Sequence, residues 1–238
     1  MDQPRNYDLI VIGAGPGGYV ASVRAAQLGM KVACIDKEPR LGGVCLNVGC
    51  IPSKALLDSS EYYQLATRHL DEHGIHPQSV TFDLAALMAR KQRVVEELTG
   101  NVRRLLESNQ VEIFHGTARL VGPEQVRITP GSTPPGDTDI LLQGKAILLA
   151  TGSEPVAPRG LAFDGDRVVS STEALAFTAV PEHLGIVGGG YIGLELGSIW
   201  RRLGAKVTII EMLPRLAGTL DGQVARTLER ILTKQGLD

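Results

Sequence analysis

Aromatic side chains are scarce in this chain, at 4% of 238 residues with a single tryptophan, so its core has to be filled by aliphatic and alanine side chains. A strong excess of either charge is lacking too. A formal net charge of −2 leaves no basic face for nucleic acid and no polybasic patch for a membrane surface. The longest apolar run, around Leu9 to Ala14, falls well short of the about 20 residues that a bilayer-crossing helix needs. The first residues, Met1-Asp2-Gln3-Pro4-Arg5-Asn6, lack the apolar stretch of a secretory leader. Cysteines are few: Cys34, Cys45 and Cys50. With no leader, the expectation is a reducing, cytoplasmic compartment, where a lasting structural disulfide is disfavoured and a catalytic or transient one is the better reading.

Glycine, by contrast, is abundant and clustered. Tyr7 to Ile12 reads as a short buried strand running straight into Gly13-Ala14-Gly15-Pro16-Gly17-Gly18, with a helix expected from Pro16 to Leu28 and a second strand from Lys31 to Asp36. In such a βαβ unit the three spaced glycines have separate duties. Gly13 permits the tight turn, Gly15 lets a pyrophosphate approach the backbone, and Gly18 lets helix and strand pack closely. The helix N-terminus then offers N–H groups to phosphate. Asp36 follows Gly13 by 23 residues, placed for a ribose diol. Cys34, inside the second strand, reads as an inert core residue.

Between Gly42 and Lys54 the chain reads Gly-Gly-Val-Cys-Leu-Asn-Val-Gly-Cys-Ile-Pro-Ser-Lys. Positions five apart on a straight helix lie about 7.5 Å apart along the axis and on different faces, too far to suit a disulfide. For Cys45 and Cys50 to meet, the backbone has to curl, and Gly49 permits that. Pro52 suits the first turn of a helix, which puts Cys50 at the N-terminus, where the dipole favours a thiolate, and Lys54 one turn on. Two unpaired structural cysteines and a redox pair both fit the spacing alone.

Helices are expected from Pro52 to His69 and, capped by Asp83, to Ser108, the two forming an antiparallel pair. His69, His73 and His76 fall in the turn between them, and with no cysteine or carboxylate pattern beside them no metal is assigned. From Val111 to Leu142 short alternating segments suggest a three-stranded meander with a loop over 130–138. Ala146 to Ala150 reads as a further buried parallel strand ending at Thr151-Gly152-Ser153. Residues 154–180 are proline-rich and suit a crossing segment. Beyond them the opening pattern repeats: a strand from Leu184 to Val187, then Gly188-Gly189-Gly190-Tyr191-Ile192-Gly193, a helix, a strand from Lys206 to Ile210, and Glu211. The interval from Gly188 to Glu211 is again 23 residues. A carboxylate there accepts a free 2′-hydroxyl and repels a 2′-phosphate, so the second site should prefer NAD to NADP. The fold class expected is α/β, with two Rossmann-like three-layer folds on parallel sheets, an inserted meander, and neither fold complete at the C-terminus. The divisions are 1–153, 154–180 and 181–238.

Two dinucleotide folds and a dithiol suggest an electron path from nicotinamide through flavin to disulfide. At Val11 to Tyr19, Leu41 to Leu57, Ala150 to Ser153 and Val187 to Glu211 the chain resembles the dihydrolipoyl dehydrogenases, within the pyridine nucleotide–disulfide oxidoreductases. That resemblance implies FAD in the first fold, held by Gly13, Gly15, Pro16, Gly17, Gly18, Asp36 and Lys37. It places Gly42, Gly43, Val44, Gly49 and Lys54 along the isoalloxazine, Ala118 at the adenine end and Thr151, Gly152 and Ser153 at the sheet edge. It also makes Cys45 the thiol that exchanges with substrate, Cys50 the thiol facing the flavin, and Lys54 a cation at the flavin's reactive nitrogen, paired with Glu195. NAD falls to the second turn, Gly188 to Gly193, with Tyr191 lining the pocket and Glu211 on the ribose.

The implied activity is oxidation of dihydrolipoamide on a lipoyl domain or an H-protein-type carrier, by a homodimer. Relatives of this kind are longer and draw a His-Glu base from a C-terminal interface domain. None of the histidines here matches that base, so the expectation is a truncated form with slow turnover. Other flavin-dependent disulfide reductases, of mercuric or glutathione type, and a non-catalytic dinucleotide-binding fragment remain as alternatives.

Overall fold

In the computed structural model, residues 4–131 and 139–238 are described. In chain order the elements are β1 (Arg5–Ile12), α1 (Pro16–Gln27), β2 (Val32–Asp36), α2 (Gly43–Val48) and α3 (Cys50–Arg68). Next come α4 (Leu84–Ser108), β3 (Glu112–Gly122), β4 (Gln125–Pro130) and β5 (Ile140–Leu149). The last are α5 (Ser171–Ala174), β6 (His183–Val187), α6 (Tyr191–Arg202), β7 (Lys206–Ile210) and α7 (Gly222–Gln235). Two compact units result. One comprises Met1–Cys50 with Val95–Glu154, the other Ile51–Val94 with Pro155–Asp238. The 51–94 segment, which sequence alone leaves with the first fold, therefore packs in the second unit.

In the first unit β1 pairs in parallel with both β2 and β5, and β2 in parallel with β3. The antiparallel strand β4 joins β3 to β5, so the five strands close on one another. Aliphatic side chains fill the interior as the composition requires: Ile10, Ile35, Val126, Ile128 and Leu142 are buried there with Phe114.

The expected separate meander is not what forms. The segments read as 111–115 and 117–120 are one strand, β3, and those read as 139–142 and 146–150 are one strand, β5. Gly116 and Gly144 mark bends rather than ends. A side chain at Gly116 would lie 2.4 Å from the Thr129 oxygen, and one at Gly144 would lie 2.8 Å from Ile10 Cδ1. Bare glycines let each strand pass from parallel to antiparallel partners without stopping. Nor is the end of β5 buried. Among the described residues its last part pairs with β1 alone, and Leu149 is 60% exposed. Most of the loop expected over 130–138 lies outside the described residues.

The second unit carries the parallel pair β6–β7, with Leu184 opposite Val207 and Ile186 opposite Ile209. Its core gathers Leu56 from α3, Leu194, Leu196, Ile199 and Trp200 from α6, and Val207 and Leu232. The indole of Trp200 donates to the Ala174 oxygen at 3.1 Å. The antiparallel α3–α4 arrangement is present: Tyr63 meets Phe82, and Arg90, further along α4, meets Asp58, nearer the start of α3. The Asp83 carboxylate accepts the Ala86 N–H, as expected of a helix-starting residue. Among the described residues no helix is long and apolar enough to cross a membrane.

Candidate functional site

The first glycine turn is built as a cradle that side chains would fill. Gly13 has φ +104°, and a methyl there would sit 2.1 Å from the Ala150 oxygen. One at Gly18 would sit 1.7 Å from the Gly13 oxygen. Beside Gly17 there is open space. Gly15 caps α1 with no side-chain hydrogen bond, and Pro16 occupies its first turn. A bare, uncapped helix N-terminus of this kind fits a phosphate. The second turn repeats the design: Gly188 has φ +109°, and a methyl on Gly193 would lie 2.6 Å from the Gly188 oxygen.

The two acids occupy matching positions. Asp36 accepts the Ala14 N–H at 2.7 Å and the Glu38 N–H at 2.9 Å. Glu211 accepts the Gly189 N–H at 2.7 Å and the Leu213 N–H at 2.8 Å. The N–H groups of Leu213 and Gly189 hold the Glu211 carboxyl below its ordinary range. Each carboxylate still has lone pairs to offer a ribose hydroxyl, since an ionised carboxylate accepts about four hydrogen bonds.

The dithiol stretch is more regular than a loop. Gly42, in the left-handed region at φ +104°, starts the short helix α2 that carries Cys45, and α3 begins at Cys50. The curl between them falls at Gly49, where a methyl would be 2.9 Å from the Val44 oxygen and 3.3 Å from Cys45 Cα. Only a glycine lets the backbone ahead of Cys50 lie against that of Cys45 so closely. Cys50 is exposed and Cys45 half-buried.

This stretch is pinned to the first glycine turn. The Gly42 N–H donates to the Ala14 oxygen at 2.9 Å, and a methyl on Gly43 would lie 2.7 Å from Gly15 Cα. Asn47, which sequence reasoning passed over, donates to the oxygens of Arg40, Leu41 and Gly43 and so ties α2 back to the segment that precedes it. A lone amide in an otherwise apolar six-residue helix is the signal that could have flagged it.

In the second unit Lys54 and Glu195 come together. Lys54 Nζ lies 2.6 and 2.8 Å from the two carboxylate oxygens, and Ser53 Oγ donates to the same carboxylate at 2.7 Å. Ser53 was also unforeseen. It is buried, and a buried hydroxyl requires a partner.

Other candidates stand apart. Lys37 reaches Glu154 at 3.5 Å, both exposed. Ala118 packs against the first core opposite Ile128. Thr151, Gly152 and Ser153 are exposed beyond β5, and Val44 in α2 is exposed as well. At the start of α6, Tyr191 and Ile192 are exposed, while Gly190 caps the helix without a side-chain bond. Cys34 is fully buried in β2, and burial pushes its thiol up to about 11. His76 lies 2.9 Å from Asp71 and His69 3.7 Å from Glu72, both pairs exposed.

Comparison with known proteins gives the family. Residues 7–238 match the model of the "Pyridine nucleotide-disulphide oxidoreductase" family. The chain belongs to that family. FAD and NAD are the cofactors of its dihydrolipoyl dehydrogenase members. Dihydrolipoyl dehydrogenase 3 of Pseudomonas aeruginosa is 48% identical over 233 residues, 98% of this chain and 49% of that protein. The mitochondrial dihydrolipoyl dehydrogenase of Sus scrofa is 46% identical over 237 residues, 99% of this chain and 46% of that one. Leghemoglobin reductase of Vigna unguiculata is 46% identical over 97% of this chain and 43% of its own length. Among solved structures, the HOCl-induced flavoprotein disulfide reductase RclA from Escherichia coli matches with a TM-score of 0.79 at 29% identity, covering 98% of this chain and 48% of that chain. The chain thus spans about half the length of the relatives it matches.

Proposed function

We propose that this chain is the cofactor- and dithiol-bearing portion of a dihydrolipoyl dehydrogenase. The substrate in this reading is a dihydrolipoyl group on a lipoyl domain or an H-protein-type carrier, and the acceptor is NAD. One observation carries it: the segment holding Cys45 and Cys50 is hydrogen-bonded to, and in glycine-to-glycine contact with, the turn that cradles the first dinucleotide. The FAD, when bound, supplies two-electron transfer between that dithiol and the nicotinamide.

The chain's own residues then have distinct tasks. Gly13, Gly15 and Gly18 admit the pyrophosphate, and Asp36 receives the ribose. In the oxidised pair, a substrate thiolate attacks Cys45 Sγ; the Cys45–Cys50 bond breaks and Cys50 leaves as thiolate. The second substrate thiolate displaces Cys45, so the lipoyl ring closes, the enzyme gains two thiols, and two protons leave the substrate. Cys50, opening α3, is the thiol we assign to the flavin side. Lys54 lies one turn further along and pairs with Glu195 at 2.6 Å. Glu211, anionic at neutral pH, disfavours a 2′-phosphate and selects NAD. A homodimeric assembly and a cytoplasmic location belong to the same proposal.

The test is reductive titration of the purified protein without oxygen. The reading expects a yellow protein in which dihydrolipoamide, but not glutathione, raises the titratable thiols by about two per flavin once the pair has been oxidised. A colourless protein supports a fragment that binds no flavin, and equal reduction by glutathione supports a different disulfide reductase. Either result overturns the assignment.

A further inference from the structure

The ion pair at Lys54 is one half of a two-point clamp. Seven residues along α3 from Lys54 stands Glu61, and seven along α6 from Glu195 stands Arg202. Arg202 Nη2 lies 2.5 Å from Glu61 Oε2, and its Nη1 donates to the Leu57 oxygen at 3.3 Å. The two pairs therefore link parallel helices at heights about 10.5 Å apart, two turns on each helix. Their polarity is opposite. Lysine on α3 faces glutamate on α6 at the first pair, and glutamate on α3 faces arginine on α6 at the second. Shifting α3 by two turns either way would set Glu61 against Glu195 or Lys54 against Arg202, like charge against like. Between the two pairs the helices share an apolar seam: Leu56 of α3 and Ile199 and Trp200 of α6 are buried in one core. Arg202 is itself only 16% exposed, so its guanidinium is committed to this contact rather than swinging in solvent.

Resting on the reading above, we propose that Arg202 and Glu61 are positioning residues: they fix α3 along α6 so that Lys54 stays seated on Glu195. An ion pair between a half-exposed lysine and a carboxylate is worth little by itself, and a long lysine side chain keeps its pairing only when its backbone height is fixed. Arg202 supplies that fixing through two bonds to two different atoms of α3, one of them main-chain. From α4, Arg90 adds a third hold, to Asp58 at 2.6 Å and to the Ala55 oxygen at 3.0 Å.

The experiment reads Lys54 directly. Competitive acylation of the full chain with trace acetic anhydride, analysed by peptide mass spectrometry, gives the reactivity of Lys54 relative to Lys145, which pairs with Asp8 in the other unit. Glu195→Gln sets the value for an unseated lysine. In Glu61→Arg and in Arg202→Met the relative reactivity of Lys54 rises towards that value, by up to about fivefold, as loss of a half-exposed pair implies. The charge-exchanged double variant E61R/R202E returns it to within about twofold of the parent. Glu61 is half-exposed, so its variant keeps the fold even if Arg202→Met does not. Unchanged Lys54 reactivity in Glu61→Arg, or no recovery in the double variant, overturns the proposal. Neither flavin nor substrate enters this assay, so its outcome is separate from that of the reductive titration.

Discussion

Gly43 is under tighter constraint than either cysteine near it. Its φ of +62° already disfavours a side chain, and a methyl would press on the bare Cα of Gly15, which has no flexible end to yield. Gly43→Ala must therefore push α2 away from the first glycine turn. The expected cost is about 2 kcal/mol or more, read as a lower urea midpoint, with loss of bound flavin at protein concentrations where the parent retains it. This residue's identity was legible as part of a motif, but its reason was not. The Gly15 contact joins residues 28 apart in sequence and exists only once β1, α1 and β2 have assembled. Asp36 and Glu211 were legible for a simpler reason. The tight turn after a strand fixes where the next strand ends, so an equal interval delivers both acids to the same place relative to their glycines. What sequence did not reveal is that each carboxylate also closes its own turn by accepting two N–H groups.

Elements with their own periodicity were readable almost to the residue: α1 and α4 follow apolar spacing and run Pro16–Gln27 and Leu84–Ser108, within a residue of their expected ends. Those defined by tertiary pairing were not. Gly116 and Gly144 look like strand ends until β4 is in place to receive the bent chain, and α2 is too short to show a period. The same distinction governs energetics in α3, whose hold on the second unit comes from buried apolar contact flanked by ion pairs. Leu56 is fully buried there with Ile199 and Trp200. Leu56→Ala should cost about 2–5 kcal/mol, the range for a large core side chain cut to a methyl. Trp200, the chain's single tryptophan, lies in that core, so its fluorescence during urea unfolding reports this loss as a lower midpoint. An unshifted midpoint would mean that α3 is held by its charged residues alone.

At the scale of the whole molecule, two units repeat one design: a strand, a glycine turn, a helix, a strand and an acid. Between those repeats the chain inserts a dithiol and the helix that extends from it. Duplication of a dinucleotide site suits an electron relay, since two redox carriers need two cradles and a dithiol can exchange with only one of them. Apolar side chains stand exposed at strand ends in both units, Leu149 in the first and Val187 and Ile210 in the second. In the function proposed above, Cys45 and Cys50 form a polarised pair, one thiol for substrate and one for flavin. The most direct test compares the long-wavelength absorbance of flavin-loaded Cys45→Ser and Cys50→Ser proteins. Cys45→Ser is expected to retain a thiolate-to-flavin band from Cys50, and Cys50→Ser to lose it. Identical spectra for the two variants, or a band that survives only in Cys50→Ser, would contradict it.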